Sequence, residues 1–468
     1  MSEDAGDRLL TRRDLLRGGA ALGSVVALAG CEAFDDSEPT ATAEGSVPTE
    51  TAAETPTVTT TPTQRFENVV DVTEAGADPN GETPIGPVLE EVQGDDTLLV
   101  FPDGRYTLGE YWFSGLQNFG VTAERGASPV ITPSGPIQDL GSYFLSFMNV
   151  RNFLMSGLTF DFRREGVGGR VQVISRGDFT VRNVKTVGKY PDQVTAFRFD
   201  VRNDEGTALV ENLHAKSTRQ TNESVTGLYV GRQHAGELTF RNCNVQNFSD
   251  NGLYASAPGG AGGEIDGANG PVHVEGGLYK NNNTANVRLG STGSTARNVR
   301  IVVDEVPPHP NDVVNARGLR LRARKDQIIE NCEILIGPNG GKSFGGIVFH
   351  HDSGRAFIHD TSVRVDRDGV NAIRAIYPHR NRQVGPVFEN LRITGEASSQ
   401  FAVTLQGRDD TEFRNCCIQQ TGKNRSGIRF VNSNNCLVAD TSFDVTGRQL
   451  FRKNSRVRTR NLENGGCS

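Results

Sequence analysis

From Leu154 to the C-terminus, short runs alternate apolar and polar residues, as in Thr239-Phe240-Arg241-Asn242-Cys243 and Glu330-Asn331-Cys332-Glu333-Ile334. A period of two predicts strands with one buried and one solvated face. The runs turn at Gly157, Asn183, Asn212, Asn242, Gly276, Asn298, Asn331, Asp360, Asn390, Asn415 and Asp440, which lie 22 to 34 residues apart. Gly and Asn reach left-handed backbone angles at low cost, so one kind of corner recurs in each repeat. A second strand opening on Gly follows in many repeats: Gly227-Leu228-Tyr229-Val230, Gly318-Leu319-Arg320-Leu321 and Gly346-Ile347-Val348-Phe349. Units this short bury a core only by stacking on one another. The expectation is an all-β chain: a right-handed parallel β-helix solenoid of roughly ten to twelve coils, with a capping helix at its N-terminal end. With 54 Gly and 36% hydrophobic residues, the composition suits a narrow core.

The first 64 residues depart from that pattern. Thr11-Arg12-Arg13-Asp14-Leu15-Leu16-Arg17 precedes a small, apolar stretch that ends in Leu28-Ala29-Gly30-Cys31. Arg12 and Arg13 resemble a twin-arginine export signal, and the last four residues resemble a lipoprotein box in which Cys31 would be lipidated. Residues 32–64 contain ten Thr, seven acids and neither Lys nor Arg, a composition that does not bury enough surface to fold. The expected organisation is a signal peptide over 1–30, a disordered stalk over 31–64, an N-terminal cap over 65–110 and the β-helix over 111–468. Export would place the body at the extracellular face of the membrane, held only by its lipid anchor.

Charge then removes one class of partner. Residues 65–468 carry 45 acidic and 45 basic side chains, so a nucleic-acid ligand is not expected. Gly259-Gly260-Ala261-Gly262-Gly263 sits between strands rather than between a strand and a helix, which argues against a nucleotide cofactor. Cys243, Cys332 and Cys416 follow turn Asn residues or replace the next apolar position, and are expected as buried thiols. Cys417, Cys436 and Cys467 remain as candidates for an oxidised pair, with the connectivity open.

The opening of the folded body carries a resemblance. Val70-Asp71-Val72, Gly76-Ala77-Asp78 and Phe101-Pro102-Asp103-Gly104-Arg105-Tyr106 resemble the first coil of the pectin lyase-like superfamily. Between them Thr83 can cap a helix that has Pro84 in its first turn, with Ile85, Val88, Leu89 and Val92 on one face. The resemblance implies the β-helix fold and a long polysaccharide handled along one face. The polygalacturonase-like members' paired Asp and Gly-His-Gly elements are missing here, so a glycoside hydrolase is the less favoured chemistry.

The outward residue of each second strand names the candidate face. It is Arg198, Tyr229, Tyr254, Arg288, Arg320 and Arg374 in successive or near-successive coils, with Arg322 and His350 two positions further along. Stacked like charges repel and call for an anionic partner, while tyrosine rings offer flat faces to sugars. Gly231, Ser256 and Gly290 are expected to leave room for a groove. The substrate-binding candidates are Arg198, Tyr229, Tyr254, Arg288 and Arg374, with an acidic polysaccharide or surface glycan as ligand. The catalytic candidates are Arg320, Arg322, Asp250 and His350, in the manner of a polysaccharide lyase. Calcium near Asp200 or Asp250 is the one metal considered. Two alternatives stay open: arginines that merely face solvent, balanced by Asp250, Asp304 and Asp352, and a noncatalytic glycan-binding or envelope protein.

Overall fold

The computed structural model describes residues 65–467 apart from 137–142, 189, 191–194, 218–223, 260–266, 310–313, 352 and 379–380. Arg12, Arg13, Cys31 and the stalk lie outside the described residues, as do Asp352 and His379.

Among the described residues every strand pairing is parallel, and each strand pairs with its counterpart in the neighbouring coil. One coil contributes Glu237–Arg241, Asn244–Gln246 and Leu253–Ala255; the next contributes Val272–Glu275, Leu278–Lys280 and Val287–Leu289. Repetition builds three ladders, of which two merge at the long strand Cys436–Val445 because it pairs with both Glu412–Arg414 and Cys417–Gln420. The third ladder is a separate sheet of 13 strands, from Tyr111–Ser114 to Leu450–Lys453. Inward residues fill one continuous apolar core, in which Phe113 stacks on Phe147 with ring centroids 5.0 Å apart.

The corner between the first two ladders follows the sequence closely. All eleven turn residues named above have positive φ, between 47° and 75°. Their amides bond to one another from coil to coil: Asn212 Nδ2 to Asn183 Oδ1 (3.1 Å), Asn331 to Asn298 (2.7 Å) and Asn390 to Asp360 (2.9 Å). An Asn here supplies both the left-handed angle and a donor–acceptor pair for its neighbours. Just past the corner the chain turns inward, which buries Cys243, Cys332 and Cys416 as free thiols. Burial pushes the Cys332 thiol up to about 11 and the Cys243 thiol up to about 12.

Two details differ from the sequence reading or go beyond it. The helix covers Gly86–Val92 and starts at Ile85, without a side-chain cap. Thr83 lies two residues ahead of that N-cap position, where its N–H, with that of Glu82, is held by the Asp78 carboxylate in a tight turn. Ile85 and Leu89 still pack into the core, with Val88 and Val92 half-buried against it. At the other end, Cys417 and Cys467 form a disulfide and Cys436 is a buried free thiol.

The corner ladder makes a stability prediction. Asn331→Ala combines about 1–2 kcal/mol of left-handed backbone cost with a lost amide bond of about 1 kcal/mol. Asn331→Gly loses only the bond. Thermal melting should therefore rank native above Asn331→Gly above Asn331→Ala.

Candidate functional site

The 13-stranded sheet places one outward residue per coil in a single register column. Parallel pairing aligns Trp112, Ser146, Gln172, Arg198, Tyr229 and Tyr254, and then Arg288, Arg320, Val348 and Arg374. The flanking positions, such as Leu228, Leu253, Leu319 and Leu321, are fully buried, so their apolar character fixes which parity faces out. The five binding candidates and Arg320 thus share one face.

A second outward column shows how this chain normally treats stacked charge. In the first ladder Arg182, Glu211, Arg241, Glu275, Arg297 and Glu330 alternate in sign from coil to coil. Arg241 lies 2.9 Å from Glu275, and Arg297 lies 2.8 Å from Glu330. In this column each arginine has a glutamate beside it in register.

The candidate face breaks that rule in its middle. Arg198 is neutralised by Asp200, 2.7 Å away in a buried pair, and Asp200 also accepts the Gly231 N–H. Beyond Tyr254 the register column continues with Arg288, Arg320, Val348 and Arg374. Arg288 lays its guanidinium carbon 3.9 Å from the centre of the Tyr254 ring and donates to the Tyr254 hydroxyl at 3.0 Å. Arg317, just before the strand Leu319–Leu321, donates to the Thr284 carbonyl at 2.7 Å and lies over Phe344. Arg374 approaches the same Phe344 ring, at 4.8 Å. Among the described residues no carboxylate lies within 4 Å of Arg288, Arg317 or Arg320. Two unit charges one strand spacing apart, about 4.8 Å, repel by roughly 3 kcal/mol at an effective dielectric of about 20.

Protonation follows from that crowding. Burial, then the charges of Arg288 and Arg374, pull Arg317 down to about 9. Burial, then Arg288, Arg317 and Arg322, pull Arg320 down to about 8. The Nε of each of Arg288, Arg317 and Arg320 is buried without an acceptor. His350 follows the neighbouring strand, with its N–H bonded to the Leu321 carbonyl. Burial and then Arg322 and Arg320 hold its imidazole far below the usual histidine range, so it is neutral at pH 7. Arg408, fully buried, fixes the turn by donating to the carbonyls of His350 (2.8 Å) and Ile376 (3.1 Å).

The other sequence candidates are distributed differently. Asp250 accepts from Thr226 and Asn251 and is a weak counter-charge to Arg317. Asp304 is taken by Lys280 and Asn281, away from the arginine column. His359 sits in the alternating ladder, 2.9 Å from Asp360. The expected open space at Gly231 and Gly290 is a correction: a Cβ at Gly231 would strike the Arg198–Asp200 pair, and one at Gly290 would strike Ser256. Those small residues admit close packing instead of opening a groove. Asp200 has both oxygens engaged, and among the described residues no group of three His, Cys, Asp or Glu is placed to hold a metal ion. Sequence reasoning missed Arg317 and Phe344 because they lie before their strands, and Arg408 because it lies in the two-residue strand Arg408–Asp409, off the repeating ladders. The Arg-Gly pair at Arg317-Gly318 was the available signal.

No family model matches the chain, and no curated protein matches it. Its shape is similar to several solved structures. One is the A-module of a mannuronan C-5 epimerase from Azotobacter vinelandii: 14% identity, 70% of this chain and 97% of that one, TM-score 0.46. Another is the surface adhesin PfbA of Streptococcus pneumoniae: 12% identity, 82% and 91%, TM-score 0.49. A third is an alginate lyase: 10% identity, 86% and 86%, TM-score 0.46.

The site generates two expectations. Asp200→Asn strands a buried Arg198 and should destabilise the fold by about 3 kcal/mol or more, whereas Arg320→Met removes an uncompensated charge and should leave the melting temperature equal or higher. His350 has a lowered folded-state pKa, so the unfolded chain binds the extra proton. Its stability contribution is therefore present above the unfolded value of about 6.5 and falls away below it. Unfolding measured from pH 7 to pH 5 should show a smaller loss in His350→Gln than in the native protein.

Proposed function

We propose that this chain binds an acidic polysaccharide along the outer face of its 13-stranded sheet, with Arg288, Arg317 and Arg320 as the charge-reading centre. The observation that carries the reading is the contrast between two columns of one molecule. Arginines in the first ladder alternate with glutamates, while Arg288 and Arg320 stack directly on each other without a carboxylate. A uronate carboxylate would supply the missing acceptor in the geometry a guanidinium fork prefers. Tyr229 and Tyr254, with ring centroids 5.4 Å apart, would face the sugar rings. On this reading the motifs at Arg12, Arg13 and Cys31 serve export and lipid anchoring, and the body works at the extracellular face of the membrane.

A second step, β-elimination, would draw on His350, whose basicity burial and then Arg322 and Arg320 suppress until an entering carboxylate offsets those charges. Neutralising the uronate carboxylate with Arg320 and Arg322 acidifies the adjacent C–H. His350 would take that proton, the electron pair would form the sugar double bond, and the C–O bond to the next sugar would break, its oxygen leaving as a hydroxyl with a proton from water.

The test uses purified protein against a polyuronate and the same polymer with its carboxyls reduced. Binding to the acidic form alone, weakened at least tenfold in Arg288→Ala and Arg320→Ala, is the expected outcome. Equal binding to both polymers would remove the carboxylate-reading role. Ultraviolet absorbance from unsaturated uronide, abolished in His350→Gln with binding retained, would establish elimination; binding without product would leave a noncatalytic binder.

A further inference from the structure

The two ends of the solenoid carry opposite charge. Residues 65–110 hold eleven acidic and two basic side chains, and Glu67, Glu74, Glu82, Glu90, Glu91 and Asp95 among them are exposed. Residues 447–467 hold six basic side chains and one acidic. Since 65–468 as a whole is balanced, this is a segregation of charge along the axis. Residues 32–64 add seven acids and no base immediately before the acidic end.

The basic end is also concave. A cavity of about 560 Å³ opens there, lined by Asn434, Asn435, Arg452, Arg456 and Arg458 among others. Arg460 is paired with Asp440 at 2.6 Å, but Arg452, Arg456 and Arg458 have no carboxylate within 4 Å among the described residues. The concavity borders the last strand, Val457–Asn464, which pairs on one side only, with Cys436–Val445. At the opposite end Asn68–Asp71 likewise pairs on one side only, with Thr97–Phe101. Among the described residues these two terminal strands each pair with a single neighbour, and opposite charge surrounds them.

We propose that the basic C-terminal end receives the acidic N-terminal end of a second copy of this chain, joining solenoids head to tail. Charge selects this pairing over the others. Two basic ends repel, as do two acidic ends, while opposite ends attract and keep all strands running in one direction. Positive residues beside a strand edge also discourage uncontrolled strand pairing. A contact between two different surfaces does not close on itself, so it extends into short chains of molecules. The attraction acts over a Debye length, about 30 Å at 0.01 M salt and about 3 Å at 1 M, so assembly is salt-sensitive.

Sedimentation velocity of the purified protein tests this. Species larger than the monomer are expected at about 0.01 M salt and only monomer at about 1 M. The C-terminal variant R452E/R456E/R458E and the N-terminal variant E74K/E82K/E91K should each be monomeric at low salt, with melting temperatures close to native showing that both fold. Mixed in equal amounts they should associate, because each supplies the complementary end the other lacks. A native protein that stays monomeric at low salt overturns the proposal, as does association that survives both reversals. Association that appears only on adding an acidic polysaccharide would make the concavity a glycan site instead, which also overturns it.

Discussion

Parallel register between neighbouring coils is the constraint on which everything else here depends. Each residue lies about 4.8 Å from the residue at the same place in the next coil, and a parallel ladder offers no way to slip one side chain past another without turning the whole strand over. Whatever a position does well when stacked on itself, the solenoid can repeat. Phe113 over Phe147 fills the core, and Asn331 over Asn298 passes amide bonds along the corner. A position that does badly when stacked must be compensated in every coil.

Charge is the position that does badly. Along one face the chain compensates by alternating Arg and Glu, so that each repulsive neighbour becomes an ion pair. Along the other it leaves Arg288, Arg317 and Arg320 clustered, and burial, then the neighbouring arginine charges, lowers the proton affinity of Arg317 and Arg320. On the proposed reading, an entering carboxylate would relieve several of these repulsions at once. Burial, then the charges of Arg322 and Arg320, holds His350 neutral, so a bound carboxylate would raise its proton affinity.

Much of this was legible in the sequence because the solenoid is written as a repeat. Each turn residue from Gly157 to Asp440 marked a left-handed corner, and counting one residue past the buried apolar position found the column from Arg198 to Arg374. What the repeat does not encode was less visible. Arg317 and Phe344 precede their strands, and Arg408 sits in the short strand Arg408–Asp409 outside the three ladders, so no periodicity announces them. Gly231 and Gly290 looked like open space because an absent side chain is silent about what fills its place; here Asp200 and Ser256 do. The start of the helix at Ile85 was hidden by Asp78, whose carboxylate captures the Thr83 N–H from five residues upstream. The disulfide between Cys417 and Cys467 joins residues 50 apart in sequence, a pairing that spacing alone left open.

The most direct measurement is a crystal structure with an acidic oligosaccharide bound. This account predicts a ligand carboxylate within hydrogen-bonding distance of Arg288 or Arg320, with sugar rings against Tyr229 or Tyr254. An oligosaccharide seated on the alternating Arg–Glu face, or at the C-terminal arginines with the Arg288–Arg320 column empty, would contradict it.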